Sequence, residues 1–191
     1  MIYTYRILTL NINGSTSATK LQMLEDILRK HEVYTVMLQE VTPGVNVNYR
    51  GYNSYVNIGT PARGTAILSK VELPLNNVRR ISSGRGIIAQ YGHLRILNVY
   101  APSGSANRAE RQDFFNTGIT DVLPHTPTEL LMAGDFNCVL SNSDSTGQRT
   151  CSRTLGRLIQ GLRLQDAWDQ KPSRQAYNHY TPNGSARLDR I

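Results

Sequence analysis

Leu130-Leu131-Met132-Ala133-Gly134-Asp135-Phe136-Asn137 reads as a strand that ends in polar chemistry. Three strand-type apolar residues lead into a small residue and a glycine. A carboxylate and a carboxamide then follow two positions apart. In a strand extended to its end, Asp135 and Asn137 share one face and Phe136 points the other way, into a core. Open α/β-type sheets carry their chemistry where strands end, and an acid–amide pair there suits a hydrated cation or a phosphate. Gly-Asp-x-Asn is equally turn chemistry. This stretch alone leaves both readings open.

Other strand ends, read outward from it, carry the same kind of side chain. Upstream, Gly86 to Gln90 and Leu94 to Val99 pair across a Tyr91-Gly92-His93 turn. The second of them closes in Asn98-Val99-Tyr100-Ala101-Pro102, with a tyrosine at its end. Short strands are expected at Ser54 to Ile58 and Gly64 to Ser69, after a loop from Pro43 to Asn53. Val33 to Leu38 is a near-continuous β-rich run, as in a strand buried on both faces, and Gln39-Glu40 follows it. Tyr5 to Leu10 is another strand, closed by Asn11-Ile12-Asn13-Gly14, whose two amides aim to one side if the strand stays extended.

Helices fill the gaps. Thr19 to His31 carries Leu21, Leu24, Ile27 and Leu28 at helical spacing, behind possible caps at Ser15-Thr16-Ser17. Glu110 to Val122 presents Phe114, Phe115, Ile119 and Val122. Ser152 to Leu164 presents Leu155, Leu158, Ile159 and Leu162, weakened by Gly156 and Gly161. The Tyr177 to Thr181 segment and a last strand at Arg187 to Ile191 complete a single α+β domain in which strands outnumber helices.

The 191 residues are enough for one domain with a substantial core. Apolar residues at 39% and charged residues at 18% exclude a disordered or membrane-embedded composition. The N-terminus lacks the order of a signal peptide, and Cys138 and Cys151 are too few to staple such a domain, which favours a reducing, intracellular setting. Twenty-one Lys and Arg against 14 Asp and Glu give a formal charge of +7, with Arg79, Arg80 and Arg85 close together and Arg149, Arg153, Arg157 and Arg163 later. Such a balance favours a polyanionic partner such as nucleic acid over a merely solvated basic surface.

The strand-end inventory is Asn11, Asn13, Glu40, Tyr100, Asp135, Asn137 and Asp189. Hard oxygen ligands without Cys or His suit Mg²⁺, with Mn²⁺ as a substitute, and a cation held by so few carboxylates usually shares its shell with a substrate phosphate. The chemistry implied is phosphate-ester hydrolysis. Leu8-Thr9-Leu10-Asn11-Ile12-Asn13-Gly14, Leu38-Gln39-Glu40, Asn98-Val99-Tyr100-Ala101-Pro102, Gly134-Asp135-Phe136-Asn137 and Ala186-Arg187-Leu188-Asp189-Arg190-Ile191 stand in the order seen in the endonuclease/exonuclease/phosphatase superfamily. The chain most resembles the apurinic-type endonuclease domain that begins a non-LTR (LINE-type) retrotransposon polyprotein.

That resemblance implies a DNase I-like four-layer α/β/β/α sandwich with two mostly antiparallel sheets. It also implies a Mg²⁺-dependent nick in double-stranded DNA, leaving a 3′-hydroxyl that primes reverse transcription. The partner domain would be a reverse transcriptase, and the place of action the nucleus. Position by position, Glu40 is the main metal ligand with Asn11 beside it. Asn13 stands where relatives often carry an aspartate and would contact substrate. Tyr100 bonds the scissile phosphate, Asp135 orients or deprotonates the water, and Asn137 fixes both. Asp189 would orient a catalytic histidine, and Asn178 lies in a segment expected to contact DNA. The family's terminal Ser-Asp-His segment has no counterpart before Ile191. None of His31, His93, His125 and His179 replaces it, although His179 lies nearest the expected DNA loop. The expectation is therefore a fragment, weak or inactive alone and with an exposed sheet edge. Rival readings are a phosphatase or an abasic-site repair endonuclease of the same superfamily, and a DNA-binding module whose catalysis has decayed.

Overall fold

The computed structural model describes residues 5–14, 17–59, 63–123, 129–147, 151–170, 177–182 and 184–191. Ser15, Thr16, His125 and Arg149 lie outside them. In chain order the elements are β1 (Ile7–Asn11), α1 (Ala18–Lys30), β2 (Thr35–Val41), β3 (Tyr52–Ile58), β4 (Gly64–Lys70), β5 (Asn76–Arg80), β6 (Gly86–Tyr91), β7 (Leu94–Tyr100), α2 (Arg108–Asp113), β8 (Glu129–Asp135), α3 (Arg153–Gly161), β9 (His179–Thr181), β10 (Gly184–Ala186) and β11 (Asp189–Arg190).

Two sheets result, ordered β1-β2-β4-β3 and β11-β8-β7-β6-β5, with β9 and β10 as a separate hairpin. Each sheet has one parallel pair, β1 with β2 and β7 with β8, and is otherwise antiparallel. The alternation of side chains along the strands builds the layers. Met37, Ile67, Ile87, Ala89, Ile96 and Ala133 meet between the sheets. Their neighbours Val36, Leu38, Ala66 and Leu68 face outward under Leu24 and Leu28 of α1. On the other side Ile88, Leu97, Val99 and Met132 face Phe114, Phe115, Ile119 and Leu155. The chain is thus a four-layer α/β/β/α sandwich. Strands covered on both faces have no polar side to show, which is why Val33 to Leu38 reads as a near-continuous apolar run.

Several elements differ from expectation. The helix foreseen from Glu110 to Val122 starts at Arg108 and widens into a π-helical turn at Phe114–Gly118, followed by a 3₁₀ turn at Thr120–Val122. The wide turn, closed by Ile119 N–H on the Phe114 carbonyl at 2.9 Å, lets two consecutive phenylalanines both be buried. Ile27 is on the exposed side of α1 although its spacing fits the stripe. The strand at Asn76–Arg80 was not foreseen. It is an edge strand that is exposed apart from Val78, so its sequence shows no apolar face. The last strand shortens to Asp189–Arg190, and β10 joins the expected Tyr177 to Thr181 segment as a hairpin.

Polar side chains bolt the sheets together at one end. Asn98 of β7, fully buried, donates to the carbonyls of Leu38 and Ala66 in the facing sheet, both at 2.9 Å, and accepts from Gln39 at 2.8 Å. Asn57 of β3 donates the other way, to Ile81 and Gly86, at 2.8 and 2.9 Å. Gly84 presses against Gly59 so closely that a Cβ on Gly84 would fall 2.1 Å from a backbone nitrogen. Only glycine permits that approach.

Candidate active site

The polar residues gather at the ends of strands from both sheets. Asn11 closes β1. Its amide nitrogen donates to Glu40 Oε1 at 3.0 Å and to Asp135 Oδ2 at 2.9 Å, so one carboxamide bridges a carboxylate from each sheet. Glu40 does not follow β2, as its position in the sequence implies. It occupies a bulge inside the strand, with φ of 57°, where the register with β4 shifts between Gln39 and Val41. A bulge re-aims a side chain, and the left-handed backbone of a glutamate is a strained conformation of the kind kept at functional sites. Buried Gln39 beneath it spreads its amide over Thr9, the Met37 carbonyl and Asn98.

Asp135 ends β8, buried. Its Oδ1 accepts the backbone N–H of Asn137 at 2.9 Å, and Asn137 has φ of 50°. Both readings of the Gly-Asp-Phe-Asn stretch therefore hold, since a strand delivers the carboxylate and an Asx turn follows it. Phe136 is in the core as expected. Asn137 is reached by the turn, not by strand alternation, and its amide donates to the Ala101 carbonyl at 2.9 Å. The same turn defeats the expectation for Asn13. Its N–H donates to Asn11 Oδ1 at 2.8 Å, its φ is 51°, and it is exposed instead of sharing a side with Asn11.

Asp189 is paired in register with Asp135 across the antiparallel β11–β8 ladder. Its Oδ1 is buried with no hydrogen-bond partner among the described residues. Burial first, then the neighbouring Asp135 and Glu40 charges, push its carboxyl up to about 7. Burial also raises Asp135, with Glu40 adding, while the Asn137 N–H, the Asn11 amide and His179 act against it. Buried Tyr100, at the end of β7, has its phenol raised by burial and by Glu40. Arg63 and Arg85 oppose this, and the Arg85 guanidinium lies 5.2 Å from the ring centroid.

Asn178 uses its amide on the backbone of the last strand. It donates to the Asp189 carbonyl at 2.9 Å and accepts from Leu188 N–H at 2.8 Å, which ties the β9 hairpin to the strand carrying Asp189. His31 caps α1 and His93 sits in the β6–β7 turn, both exposed, whereas His179 faces the groove beside Asn137. Three contributors were not foreseen. Arg63 forms an ion pair with Glu40 Oε2, and Gln39 and Asn98 support the bulge from below. Arg63 comes from an irregular stretch with no periodic signal. Gln39 and Asn98 sit inside apolar runs, and a lone amide there was the signal available.

Among the described residues no three His, Cys, Asp or Glu side chains form a metal cluster. The donor set nevertheless fits a hard cation. Glu40 and Asp135 converge on one amide and Asp189 adds an orphaned oxygen, so three hard oxygen donors face one point where Arg63 is the cation paired with Glu40 among the described residues. Glu40 and Asn11 would hold such an ion.

The sequence profile of the Endonuclease/Exonuclease/phosphatase family matches residues 8–191. Among solved structures, an AP endonuclease from Archaeoglobus fulgidus superposes with a TM-score of 0.75 at 15% identity, covering 98% of this chain and 85% of that one. The 3′ phosphatase NExo from Neisseria, bound to a product DNA hairpin, gives 0.76 at 18% identity, with coverage of 98% and 85%. The endonuclease domain of TRAS1, a telomere-specific non-LTR retrotransposon, gives 0.68 at 15% identity, with coverage of 97% and 82%. At these identities the superpositions establish the shared fold.

Proposed function

The chain belongs to the Endonuclease/Exonuclease/phosphatase family, and on that premise we propose that it is a Mg²⁺-dependent DNA endonuclease of the non-LTR retrotransposon type. It would nick one strand of double-stranded DNA and leave a 3′-hydroxyl for a fused reverse transcriptase, acting in the nucleus. The observation that carries this reading is the Glu40–Asn11–Asp135 bridge between the sheets. Its likeness to the TRAS1 domain supports the retrotransposon setting.

The cation, when bound at Glu40 and Asn11, supplies positive charge for the phosphoryl oxygens and the leaving 3′-oxygen; Mn²⁺ would serve similarly. Asp135 accepts a proton from the attacking water, helped by the raised affinity for protons that burial gives it. The water oxygen bonds to phosphorus as the P–O3′ bond breaks, giving a 5′-phosphate and a 3′-alkoxide that takes a proton from solvent to become the 3′-hydroxyl, while Asp135 returns its proton to solvent. Asn137, fixed by its turn, orients the water and a phosphoryl oxygen. The Tyr100 phenol, kept protonated, donates to the phosphate. Asp189, its carboxyl pushed up to about 7, offers its unpartnered oxygen to a proton or to an imidazole N–H.

The test is nicking of supercoiled plasmid with Mg²⁺, with EDTA and Asp135→Ala as controls. With protein in excess over plasmid, the expected result is slow Mg²⁺-dependent open-circle product, in keeping with a domain expected to be weak alone, and a further loss of two to three decades in rate in the variant while its circular dichroism is unchanged. No Mg²⁺-dependent product, or equal rates for both proteins, overturns the assignment. Equal cleavage of intact and abasic duplexes separates it from a repair endonuclease.

A further inference from the structure

A groove of 1170 Å³ leaves the site at Asn137 and runs between the loop after β7 and the start of α3. Among the described residues four arginines line it, Arg108, Arg111, Arg153 and Arg157, and no Asp or Glu does. They are not equivalent. Arg111 is committed to the wall, donating to the carbonyls of Pro102 at 2.6 Å and Gly104 at 3.0 Å. Arg108, Arg153 and Arg157 are exposed, and no carboxylate among the described residues pairs with them. The nearby acid Glu110 faces Arg85 at 3.4 Å, and α3 contains no acidic residue at all. Arg153 and Arg157 are one helical turn apart, on one face.

We propose that this groove is a polynucleotide subsite in which Arg108, Arg153 and Arg157 contact backbone phosphates on one flank of the cut. The proposal rests on the hydrolase reading above and narrows it. A small phosphomonoester occupies only the acidic end, where Glu40, Asp135 and Asp189 meet. The groove exceeds the roughly 300–1,000 Å³ of ordinary small-ligand sites, is partly open to solvent and carries positive charge that no described carboxylate pairs at Arg108, Arg153 and Arg157. Only a polymer with repeating anionic charge fills both ends. Among the described residues no Phe, Tyr or Trp lines the groove, and its one imidazole, His179, stands at the catalytic end, so the arginine contacts read backbone charge and not base identity.

The experiment is the salt dependence of binding to a fluorescent 20-base-pair duplex in EDTA. It compares the wild type with R153Q/R157Q, with R153K/R157K, and with K20Q/K30Q on α1, in the opposite outer layer. Each duplex phosphate contact contributes about 0.9 to the slope of log K against log salt. Loss of two contacts therefore lowers the slope by about 1.8 in R153Q/R157Q, whereas the lysine pair and the α1 pair keep the wild-type slope. A slope unchanged in R153Q/R157Q, equally reduced in K20Q/K30Q, or also lost in the charge-keeping lysine pair overturns the groove assignment while leaving the nuclease reading intact. Failure of the wild type to bind duplex at low salt overturns both.

Discussion

Asn98→Ala should destabilise the protein by about 3 kcal/mol, because the side chain is a bolt between sheets and not a filler. Three hydrogen bonds disappear with it, to Leu38 O and Ala66 O at 2.9 Å and from Gln39 at 2.8 Å, all at full burial. At about 1 kcal/mol net each they sum to that figure. Gln39 retains Thr9 and the Met37 carbonyl, so no amide donor is left wholly unpaired and the loss stays near the sum. For a domain of this size the melting temperature should fall by roughly 6–12 °C. Asn57→Ala, which breaks two such bonds, should cost about two-thirds as much. Urea titrations of both variants decide the matter, provided the slope against urea stays constant. A loss below about 1 kcal/mol for Asn98→Ala, or a larger loss for Asn57→Ala, would refute the reasoning.

Other perturbations follow from the same geometry. Asp144 is buried against Arg187 at 2.7 Å and Arg190 at 2.5 Å, and Asp166 completes a network of two acids and two guanidiniums. Burial raises the Asp144 carboxyl, but Ser141 N–H and both arginines outweigh it and bring it down to about 2. Its folded value lies below the unfolded 3.8, so its contribution is present above pH 3.8 and is lost as pH falls toward 2. Asp144→Asn should cost about 3–5 kcal/mol at pH 7 and flatten that acid limb in thermal melts. Asp189 has the opposite sign. Raised from 3.8 to about 7, it stabilises below pH 3.8 and loses that contribution as pH rises to 7, so Asp189→Asn should melt higher than wild type at pH 8. Gly134 has φ of 139° and a Cβ there would lie 2.0 Å from the Val99 carbonyl oxygen, so Gly134→Ala should cost about 3–5 kcal/mol or prevent soluble expression.

Where burial is two-sided, the sequence announced the structure. Val36 to Leu38, Ala66 to Leu68 and Ile96 to Val99 read as strands because both of their faces are covered. Glu40 and Asp135 were legible because each follows such a run, while Asn11, Asn137 and Asp189 came from polar residues at expected strand ends and from the family resemblance. What was hidden depended on backbone curvature. Asn13 and Asn137 depart from strand alternation because an Asx turn closes over the preceding side chain. The bulge at Glu40 has no letter code, and β5 escaped because an edge strand needs only one apolar residue, Val78. Arg63 reaches Glu40 from a segment without pattern, and Asn178, placed beside DNA by resemblance, spends its amide on the strand that carries Asp189.

The Asn11–Asp135 bond joins residues 124 positions apart, and Asp189 adds a strand from the end of the chain. Contacts of that sequence separation form late, after most of the chain entropy has been lost. Neither sheet alone contains the site. A nascent or partly unfolded molecule therefore lacks the Glu40 and Asn11 side of the site, which the other sheet supplies to Asp135 and Asp189. The site becomes a property of the completed fold, and any ligand that bound across the strand ends of both sheets would add its binding free energy to what holds the two sheets face to face.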